Sequence, residues 1–455
     1  MNLPNFFIAD LPPEAVITPQ TVRDSCESLK RNRERYLAGR STQSVIRALC
    51  EVGQSWREPS YRLRQFVLEH GPRQMGFSAA TLAAGIDDLF CRFTPENFHA
   101  LLSQDLGHPL RLDGLQATHE EQRLERAATA RGPHLLVHFA GGSLPNPTVM
   151  DIVLGLLVRS AQFVKCASGQ SFFPRMFAHS IYEAEPKIGS CLEIAEWKGG
   201  TASLEDELFA HADCVTATGN DDTLAAIRSR LPTRVRFLGY GHKVSFGYIT
   251  HEALSGMNVQ KLVKRAAEDV VAWNQLGCLS PHLFYVETGG GTSPEQFGEM
   301  LATELQNREE TQPRGELAPE EAAAIASRRA FYEVRAAHLN ETKMWSSANS
   351  TAWTVILESD PRFQSSCLNR FIYVKAVTDL EQALQGADAV RGKVSTVGIA
   401  APEDRAEEIA RDLSKWGVTR VCPLGKMQSP PLTWRHDGRP ALGDLITWTD
   451  WERSG

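Results

Sequence analysis

The chain has 455 residues, of which 42% are hydrophobic and 23% charged, which predicts two or three soluble domains and excludes a fibrous or disordered protein. The net charge of −7, without a basic stripe, argues against nucleic acid as a partner. The longest apolar stretch, Ile152 to Val158, is too short to span a membrane, and no signal peptide is evident, so we expect a cytoplasmic protein.

The first part of the chain is predicted to be helical. From Gln20 onward, apolar residues recur at spacings of three and four, which is typical of amphipathic helices. A further helix begins at the capped start Thr94-Pro95-Glu96 and ends at Gly107. We expect residues 1–98 to form a helical N-terminal layer without chemistry of its own.

From Pro133 onward, short apolar runs alternate with helical patterns. The predicted strands are HLLVHFA, QFVKCAS, CLEIAEW, CVTATG and RVRFLGY. This alternation predicts a parallel, doubly wound sheet, which binds nucleotides where the carboxyl ends of strands meet helix N-termini. We therefore assign residues 99–241 to a Rossmann-type nucleotide-binding α/β domain.

A second α/β domain is predicted to begin at His242. A helix from Lys261 to Trp273 leads into NQLGCLSPH, and the predicted strands that follow are LFYVETGGG, WTVILE, RFIYVKAV and VSTVGIA. We assign residues 242–425 to this domain and residues 426–455 to a Trp-rich tail that packs back or contributes to an oligomer.

One of the nine cysteines stands out. The cysteines are widely spaced and form no CxxC pair, so we predict neither disulfides nor a metal site. Cys278 follows a predicted helix and lies between Gly277 and Ser280-Pro281, which indicates a tight turn. A thiolate there is able to attack an electrophilic carbonyl. A buried cysteine in a loop remains the alternative interpretation.

Two further patterns follow predicted strands. Gly141-Gly142-Ser143 comes directly after HLLVHFA but lacks a complete phosphate-loop motif, so it is either a nucleotide loop or an ordinary strand-to-helix turn. Lys165 ends QFVKCAS at the edge where a nucleotide ribose or its phosphate would lie. His242, His282 and Glu287 are possible proton carriers or structural residues.

Four segments together resemble the LuxC-type acyl-CoA (fatty acyl) reductases, a branch of the aldehyde dehydrogenase superfamily. They are HFAGGSLPNP, FVKCASGQSFFP, NQLGCLSPH and WRHDGRPALGDLITWTDW. The resemblance covers the chain from about Glu96 to its C-terminus. It implies an aldehyde dehydrogenase-like α/β fold and the reduction of an acyl thioester, such as a fatty acyl-CoA, to an aldehyde, with residues 242–425 as the catalytic domain.

The resemblance also assigns catalytic residues. Cys278 takes the place of the family's nucleophile, which implies that it expels the thiol and holds the acyl group until a nicotinamide hydride reduces it. Ser143 takes the place of the superfamily asparagine that helps form the oxyanion hole. Gly239 replaces the glutamate that activates water in hydrolytic members, which disfavours hydrolysis of the acyl-enzyme.

The cofactor is predicted from the same resemblance. NAD-preferring members of the superfamily often carry a glutamate three residues after the strand-end lysine, and Ser168 stands at that place after Lys165. Without this carboxylate a 2′-phosphate is not repelled and Lys165 is able to pair with it. The resemblance thus implies NADPH, with NADH as the alternative, and assigns Thr218 and Gly219 to the same nucleotide site.

Two other functions stay open at this point. The chain could be a CoA-acylating or hydrolytic aldehyde dehydrogenase working in the oxidative direction, although Gly239 argues against an acid product. It could also be a non-catalytic subunit of an acyl-transferring complex, against which Cys278 argues. CoA and carrier-protein thioesters are not distinguished. The resemblance also implies an acyl-activating or acyl-transferring partner enzyme and a homo-oligomer.

Overall fold

The computed structural model describes residues 3–142, 144–256 and 258–453. The chain divides into two units. The first comprises Met1–Met75, Ile86–Gly241 and Pro431–Gly455, and the second comprises Gly76–Gly85 and His242–Pro430. No helix in the described part of the chain is both long and apolar enough to cross a membrane.

The N-terminal region is helical, as predicted. Its helices are α1 (Pro19–Asn32), α2 (Thr42–Arg57), α3 (Arg62–Met75), α4 (Ala79–Phe90), α5 (Pro95–Leu106) and α6 (His119–Arg123). The predicted bounds of α5 are confirmed: the side chain of Thr94 accepts a hydrogen bond from the Asn97 N–H, and Gly107 ends the helix with a φ of 72°. Buried residues of α2, α3 and α5 share a hydrophobic core with the first sheet described below.

The first unit contains a parallel five-stranded sheet with the order β4-β3-β2-β5-β6. Its strands and helices are β2 (Leu135–Ala140), α7 (Pro145–Leu157), β3 (Ala161–Cys166), α8 (Phe172–Ala184), α9 (Pro186–Gly189), β4 (Leu192–Glu196), α10 (Ala202–His211), β5 (Cys214–Thr218), α11 (Asp221–Arg230) and β6 (Arg236–Tyr240). Strands are added to one side of β2 and then to the other, so the strand order reverses between β2 and β5. In doubly wound sheets, ligands bind at such a reversal.

A two-stranded antiparallel sheet also belongs to the first unit. It pairs β1 (Arg126–Arg131), which we did not predict, with β14 (Thr447–Glu452) in the C-terminal tail. All six residues of β14 are exposed, including Trp448 and Trp451. The tail thus folds back onto its own chain while part of its apolar surface stays accessible.

The second unit contains a seven-stranded sheet with the order β13-β12-β7-β8-β11-β10-β9. All neighbouring strands are parallel except β9, which is antiparallel to β10. Its elements are β7 (Val244–Ile249), α12 (Val259–Val271), β8 (Pro281–Glu287), α13 (Pro294–Thr311), α14 (Pro319–His338), β9 (Lys343–Ser346), β10 (Thr354–Glu358), β11 (Phe371–Val377), α15 (Leu380–Gly386), β12 (Val394–Ala400), α16 (Glu403–Trp416) and β13 (Arg420–Pro423).

The helix before Cys278 begins and ends two residues earlier than the sequence predicts, at Val259 rather than Lys261. It ends at Val271 rather than Trp273, because the backbone turns into the left-handed region at Trp273, Asn274 and Gln275, with φ values of 49°, 51° and 63°. The apolar pattern continues through this change because Trp273 is itself buried. Burial alone therefore does not reveal where this helix ends.

Candidate active site

The Gly141-Gly142 loop lies at the strand reversal of the first sheet. Gly141 follows β2, and a Cβ atom built on it would lie 2.3 Å from the carbonyl oxygen of Thr218, which ends β5. Gly142 has a φ of 85°, which favours glycine. Glycine thus lets the two strand ends approach each other. Ser143, the predicted oxyanion residue, lies outside the described residues.

Thr218 and Gly219 lie at the same sheet edge as Gly141. The Gly219 N–H donates to the Tyr240 carbonyl at 3.2 Å, and Asn220 caps α11 by accepting from the Thr223 N–H at 2.8 Å. Asp221 and Asp222 form the first turn of α11, and their charge disfavours a phosphate at this helix end. The turn therefore contributes to the shape of this sheet edge, but the N-terminus of α11 is not suited to bind an anion.

Lys165 and Ser168 differ in exposure. Lys165 is only 5% exposed at the end of β3, and burial lowers the pKa of its ammonium group, although Glu205 and Glu196 counteract that effect. Ser168 is exposed in the turn that follows. The two residues thus lie at the carboxyl end of β3, one buried and one accessible.

Glu196, which ends β4, was not predicted as a site residue. Its carboxylate accepts hydrogen bonds from the backbone N–H groups of Gly169 and Ser171, at 2.7 and 3.1 Å. Glu196 therefore fixes the turn that carries Ser168 and places a negative charge beside it. The available signal was a carboxylate at the end of a predicted strand, CLEIAEW.

Cys278 is exposed on a β-turn of the second unit. We call this turn, Gly277–Ser280, the nucleophile turn; it is closed by a hydrogen bond from the Ser280 N–H to the Gly277 carbonyl at 2.9 Å. The buried Ser245 hydroxyl donates to the Cys278 carbonyl at 2.7 Å and accepts from the Thr396 N–H at 3.1 Å. Neighbouring strands β7 and β12 thereby hold the backbone of Cys278.

Gln275 holds the nucleophile turn from its other side. Its buried side-chain amide donates to the carbonyls of Pro281 and Phe371, at 2.9 and 3.2 Å. The left-handed backbone that brings it there costs about 1–2 kcal/mol for each non-glycine residue. The indole of Trp273 compensates by packing against Gly85, where a Cβ would lie only 2.0 Å from the ring.

Exposure separates Cys278 from the buried cysteines. Burial raises the pKa of Cys26, Cys166 and Cys214 to about 12, so these thiols stay protonated and unreactive. Cys91 is exposed, but its Sγ contacts the Asp88 carbonyl at 3.2 Å, just beyond the end of α4. The alternative interpretation, a buried loop cysteine, is wrong for Cys278, because Cys278 is exposed.

His282 lies four residues after Cys278, at the start of β8. Its Nδ1 accepts a hydrogen bond from the Ser366 N–H at 3.1 Å. Burial, and to a smaller degree the charge of His242, lower the pKa of His282 to about 4. His282 is therefore a neutral imidazole at neutral pH, and a neutral ring does not act as a strong acid there.

Glu287, considered above as a proton carrier, belongs to an ion-pair cluster. Its carboxylate accepts from the Arg405 guanidinium at 3.1 Å and from the His251 ring at 2.6 Å. Glu252 joins the cluster through Arg405 at 2.9 Å. His251, Glu252 and Glu287 are close enough to hold a metal ion, but the Arg405 guanidinium already binds both carboxylates. We interpret the cluster as structural.

Solved structures of similar fold include a protein named as an aldehyde dehydrogenase. The chain matches a bifunctional proline utilization A (PutA) protein with a TM-score of 0.70 and 16% identity, covering 97% of this chain and 45% of that protein. A putative aldehyde dehydrogenase PutA from Anabaena variabilis matches with a TM-score of 0.69 and 15% identity over 98% of this chain and 95% of that one. The predicted aldehyde dehydrogenase-like α/β fold is confirmed.

Curated relatives narrow the class further. A "Long-chain acyl-protein thioester reductase" from Photorhabdus luminescens is 23% identical over 90% of this chain and 82% of its own length. The proteins of the same name from Aliivibrio fischeri and Vibrio harveyi are 23% and 22% identical, over 90% and 92% of this chain and 82% and 84% of their own lengths.

The family model "Acyl-CoA reductase (LuxC)" matches residues 37–448. The chain therefore belongs to the LuxC family of acyl-CoA reductases, enzymes that reduce acyl thioesters to aldehydes, and the resemblance inferred from four segments is confirmed. Membership of this family implies a nicotinamide cofactor.

Proposed function

We propose that this protein reduces an acyl thioester to an aldehyde with NADPH, through an acyl group bound covalently to Cys278. The observation that carries the proposal is the nucleophile turn. It exposes one thiol, and buried contacts from Ser245 and Gln275 hold its backbone. A nucleophile held in one geometry converts a bimolecular encounter into an oriented reaction.

The proposed reaction has two stages, acylation of Cys278 and reduction of the acyl group. The Cys278 thiolate attacks the thioester carbonyl, the substrate's carbon–sulfur bond breaks, and the leaving thiolate takes up a proton. When bound, the reduced nicotinamide supplies a hydride to the new acyl–sulfur carbonyl. The resulting tetrahedral alkoxide then collapses, which releases the aldehyde and restores the Cys278 thiolate. Ser143 is proposed to help stabilise the oxyanion at both stages.

Gly239 supports reduction over hydrolysis. It lies in β6, where a Cβ atom in its place would be 3.0 Å from the ring of Phe237, and it offers no carboxylate to activate water. The acyl-enzyme therefore persists until the hydride arrives. The same feature is compatible with a reversible, CoA-acylating oxidation of an aldehyde, which is the second candidate function.

The residues at the sheet edge fit a nicotinamide dinucleotide. Gly141 lets the ends of β2 and β5 approach closely, and Thr218 and Gly219 form the facing turn. We propose that Lys165 pairs with the 2′-phosphate and that Ser168 leaves room for it. Glu196 opposes this preference, but two backbone N–H groups already bind its carboxylate.

The acyl group is proposed to be apolar. This proposal rests on the relatives reported above, whose names specify a long-chain acyl group. The thioester is either an acyl-CoA or a carrier-protein thioester. We further propose an acyl-activating or acyl-transferring partner enzyme and a homo-oligomer in which the exposed Trp448 and Trp451 take part. A cytoplasmic location stays a prediction.

The test is an assay of NADPH oxidation with acyl-CoAs of increasing chain length, with the aldehyde identified by mass spectrometry. We expect oxidation that depends on the thioester and forms one aldehyde per NADPH. Activity with NADH at equal efficiency would remove the assigned role of Lys165. Absence of oxidation with acyl-CoAs and with acyl-carrier proteins would contradict the proposed function.

A further inference from the structure

A second left-handed turn lies against the one that precedes Cys278. Leu368, Asn369 and Arg370 have φ values of 58°, 55° and 65° immediately before β11. None of the three is glycine, so this conformation needs support from its surroundings. The two turns, 273–275 and 368–370, both belong to the second unit.

Asn274 joins the two turns. Its backbone carbonyl accepts from the Asn369 N–H at 2.8 Å, and its side-chain oxygen accepts from Nε of Arg370 at 3.1 Å. Its side-chain nitrogen donates to the Arg314 carbonyl at 2.9 Å. Asn274 is therefore bound on three sides, four residues before Cys278.

Arg370 is the charged member of this arrangement. Its side chain is completely buried and pairs with Glu309 on α13 at 2.7 Å. Burial lowers its pKa to about 10, so the guanidinium remains charged at neutral pH. Its Nη2 atom has no hydrogen-bond partner among the described residues.

A buried guanidinium with an unpartnered nitrogen is a poor source of stability. Removing such a charge from water is costly, and a buried ion pair by itself often contributes nothing net. Arg370 instead orients Asn274. Its planar guanidinium connects the carboxylate of Glu309 on α13 with the side-chain oxygen of Asn274. A fixed Asn274 in turn fixes Gln275, whose amide binds the carbonyl just after the nucleophile turn.

We propose that Arg370, anchored by Glu309, is a positioning residue that orients the nucleophile turn through Asn274. This role rests on the proposed function of Cys278 as the nucleophile. Arg370 acts at a distance, through the backbone on the N-terminal side of the turn. Ser245 and Gln275 then hold the remaining sides.

The test compares Arg370→Met and Arg370→Lys with Arg329→Met. Arg329 is a matched control: it is also a buried arginine of the second unit, but it binds Thr354 and the 347–353 loop. For each variant, the alkylation of Cys278 by iodoacetamide is followed as a function of pH, with the modified residue located by mass spectrometry. Thermal unfolding reports stability, and acylation of Cys278 by an acyl-CoA is measured without NADPH.

Arg370→Met is expected to shift the pH midpoint of Cys278 alkylation by about half a unit or more, because the surroundings of the thiol change when the turn is no longer held in one conformation. We expect acylation to slow by about tenfold or more, since a small misplacement of a nucleophile is costly. Arg370→Lys should recover part of both effects. Arg329→Met should lower only the melting temperature.

Glu309→Gln is the second variant, and the proposal can be tested with it if Arg370→Met fails to fold. It removes the anchoring charge from a partly exposed residue and should shift both readouts in the same direction, but less. Equal alkylation midpoints in wild type, Arg370→Met and Glu309→Gln would overturn the proposal, as would an equal shift in Arg329→Met. Alkylation needs no acyl substrate, so a shifted midpoint in a protein that reduces no thioester would support the positioning role and contradict the proposed function.

Discussion

The two candidate sites are built by different means. At the strand reversal of the first sheet, the site consists of backbone: glycines and turns at the ends of β2, β3 and β5. The nucleophile turn of the second unit depends on buried side chains from distant segments, such as Ser245 and Gln275. A backbone site follows from the regular geometry of a parallel sheet, whereas a side-chain site follows from contacts specific to this chain.

The largest expected effect concerns the thiol itself. Cys278→Ser should lower thioester-dependent NADPH oxidation by at least about 10³-fold, because a serine hydroxyl ionises far less readily than a thiol and is a poorer nucleophile. The matched control is Cys91→Ser, at the other exposed cysteine, which should keep wild-type activity. Similar activity in both variants would remove Cys278 from the mechanism.

The next effect tests the one charged side chain assigned to the backbone site. Lys165→Met should lower the preference for NADPH over NADH by about 10- to 100-fold, since a charge-assisted contact contributes about 1.5–3 kcal/mol. The measurement is kcat/KM for both cofactors. Ser168→Glu is the complementary variant and should shift the preference in the same direction. A loss shared equally by both cofactors would place Lys165 away from the 2′-phosphate.

A steric change should damage the backbone site more gently. Gly141→Ala places a Cβ atom against the Thr218 carbonyl, so the ends of β2 and β5 must separate. We expect a loss of about 1–3 kcal/mol in the free energy of unfolding and about tenfold weaker binding of NADPH, measured by chemical denaturation and calorimetry. Gly39→Ala, where no atom lies within 4 Å of the new Cβ, is the control and should behave like wild type.

The smallest effect is a pH dependence of stability. Burial raises the pKa of Glu193 in the first unit to about 7, above its value in the unfolded chain. The folded protein therefore holds this proton more tightly, and stability falls as pH rises from about 4.5 to about 7. Glu193→Gln keeps an acceptor for the Ile8 N–H and gains a donor for Ser25. It should be about 1–3 kcal/mol more stable than wild type at pH 8.

Asp269, in the second unit, provides the contrast for that measurement. Burial also raises its pKa to about 7, but its two oxygens accept from the backbone N–H groups of Gly425 and Met427. Asp269→Asn places an amide nitrogen against one of these donors. Urea titrations at several pH values should show a loss of about 1–3 kcal/mol for this variant. A gain in stability would contradict the assigned role of the Asp269 oxygens as acceptors for these two N–H groups.

Much of the first unit could be predicted because the periodic spacing of apolar residues directly indicates its helices and strands. The alternation of apolar runs and helices gave β2 to β6, and the four family segments gave the position of Cys278. The pairing of β1 with β14 was not predicted, since it joins residues far apart in the sequence. Only the packing of the tail back onto the chain was expected. The boundaries predicted for the domains, and the roles assigned to the site residues, stay predictions.

The surroundings of Cys278 could not be predicted in the same way. Left-handed backbone is normally marked by glycine, but here Trp273 and Gln275 adopt it because buried contacts compensate for its cost. Ser245 is one serine within a strand, and Arg370 is one arginine in a loop. Neither lies in a local sequence motif that would mark it as important. Their roles depend on tertiary contacts between distant segments. Such contacts leave no periodic pattern in a single sequence.

The most direct test of the central claim is to incubate the protein with an acyl-CoA in the absence of NADPH and to analyse it by mass spectrometry. The account predicts one acyl group attached to the peptide that contains Cys278, and its release as an aldehyde when NADPH is added. Turnover of the same acyl-CoA with NADPH, without any adduct at Cys278 under single-turnover conditions, would contradict it.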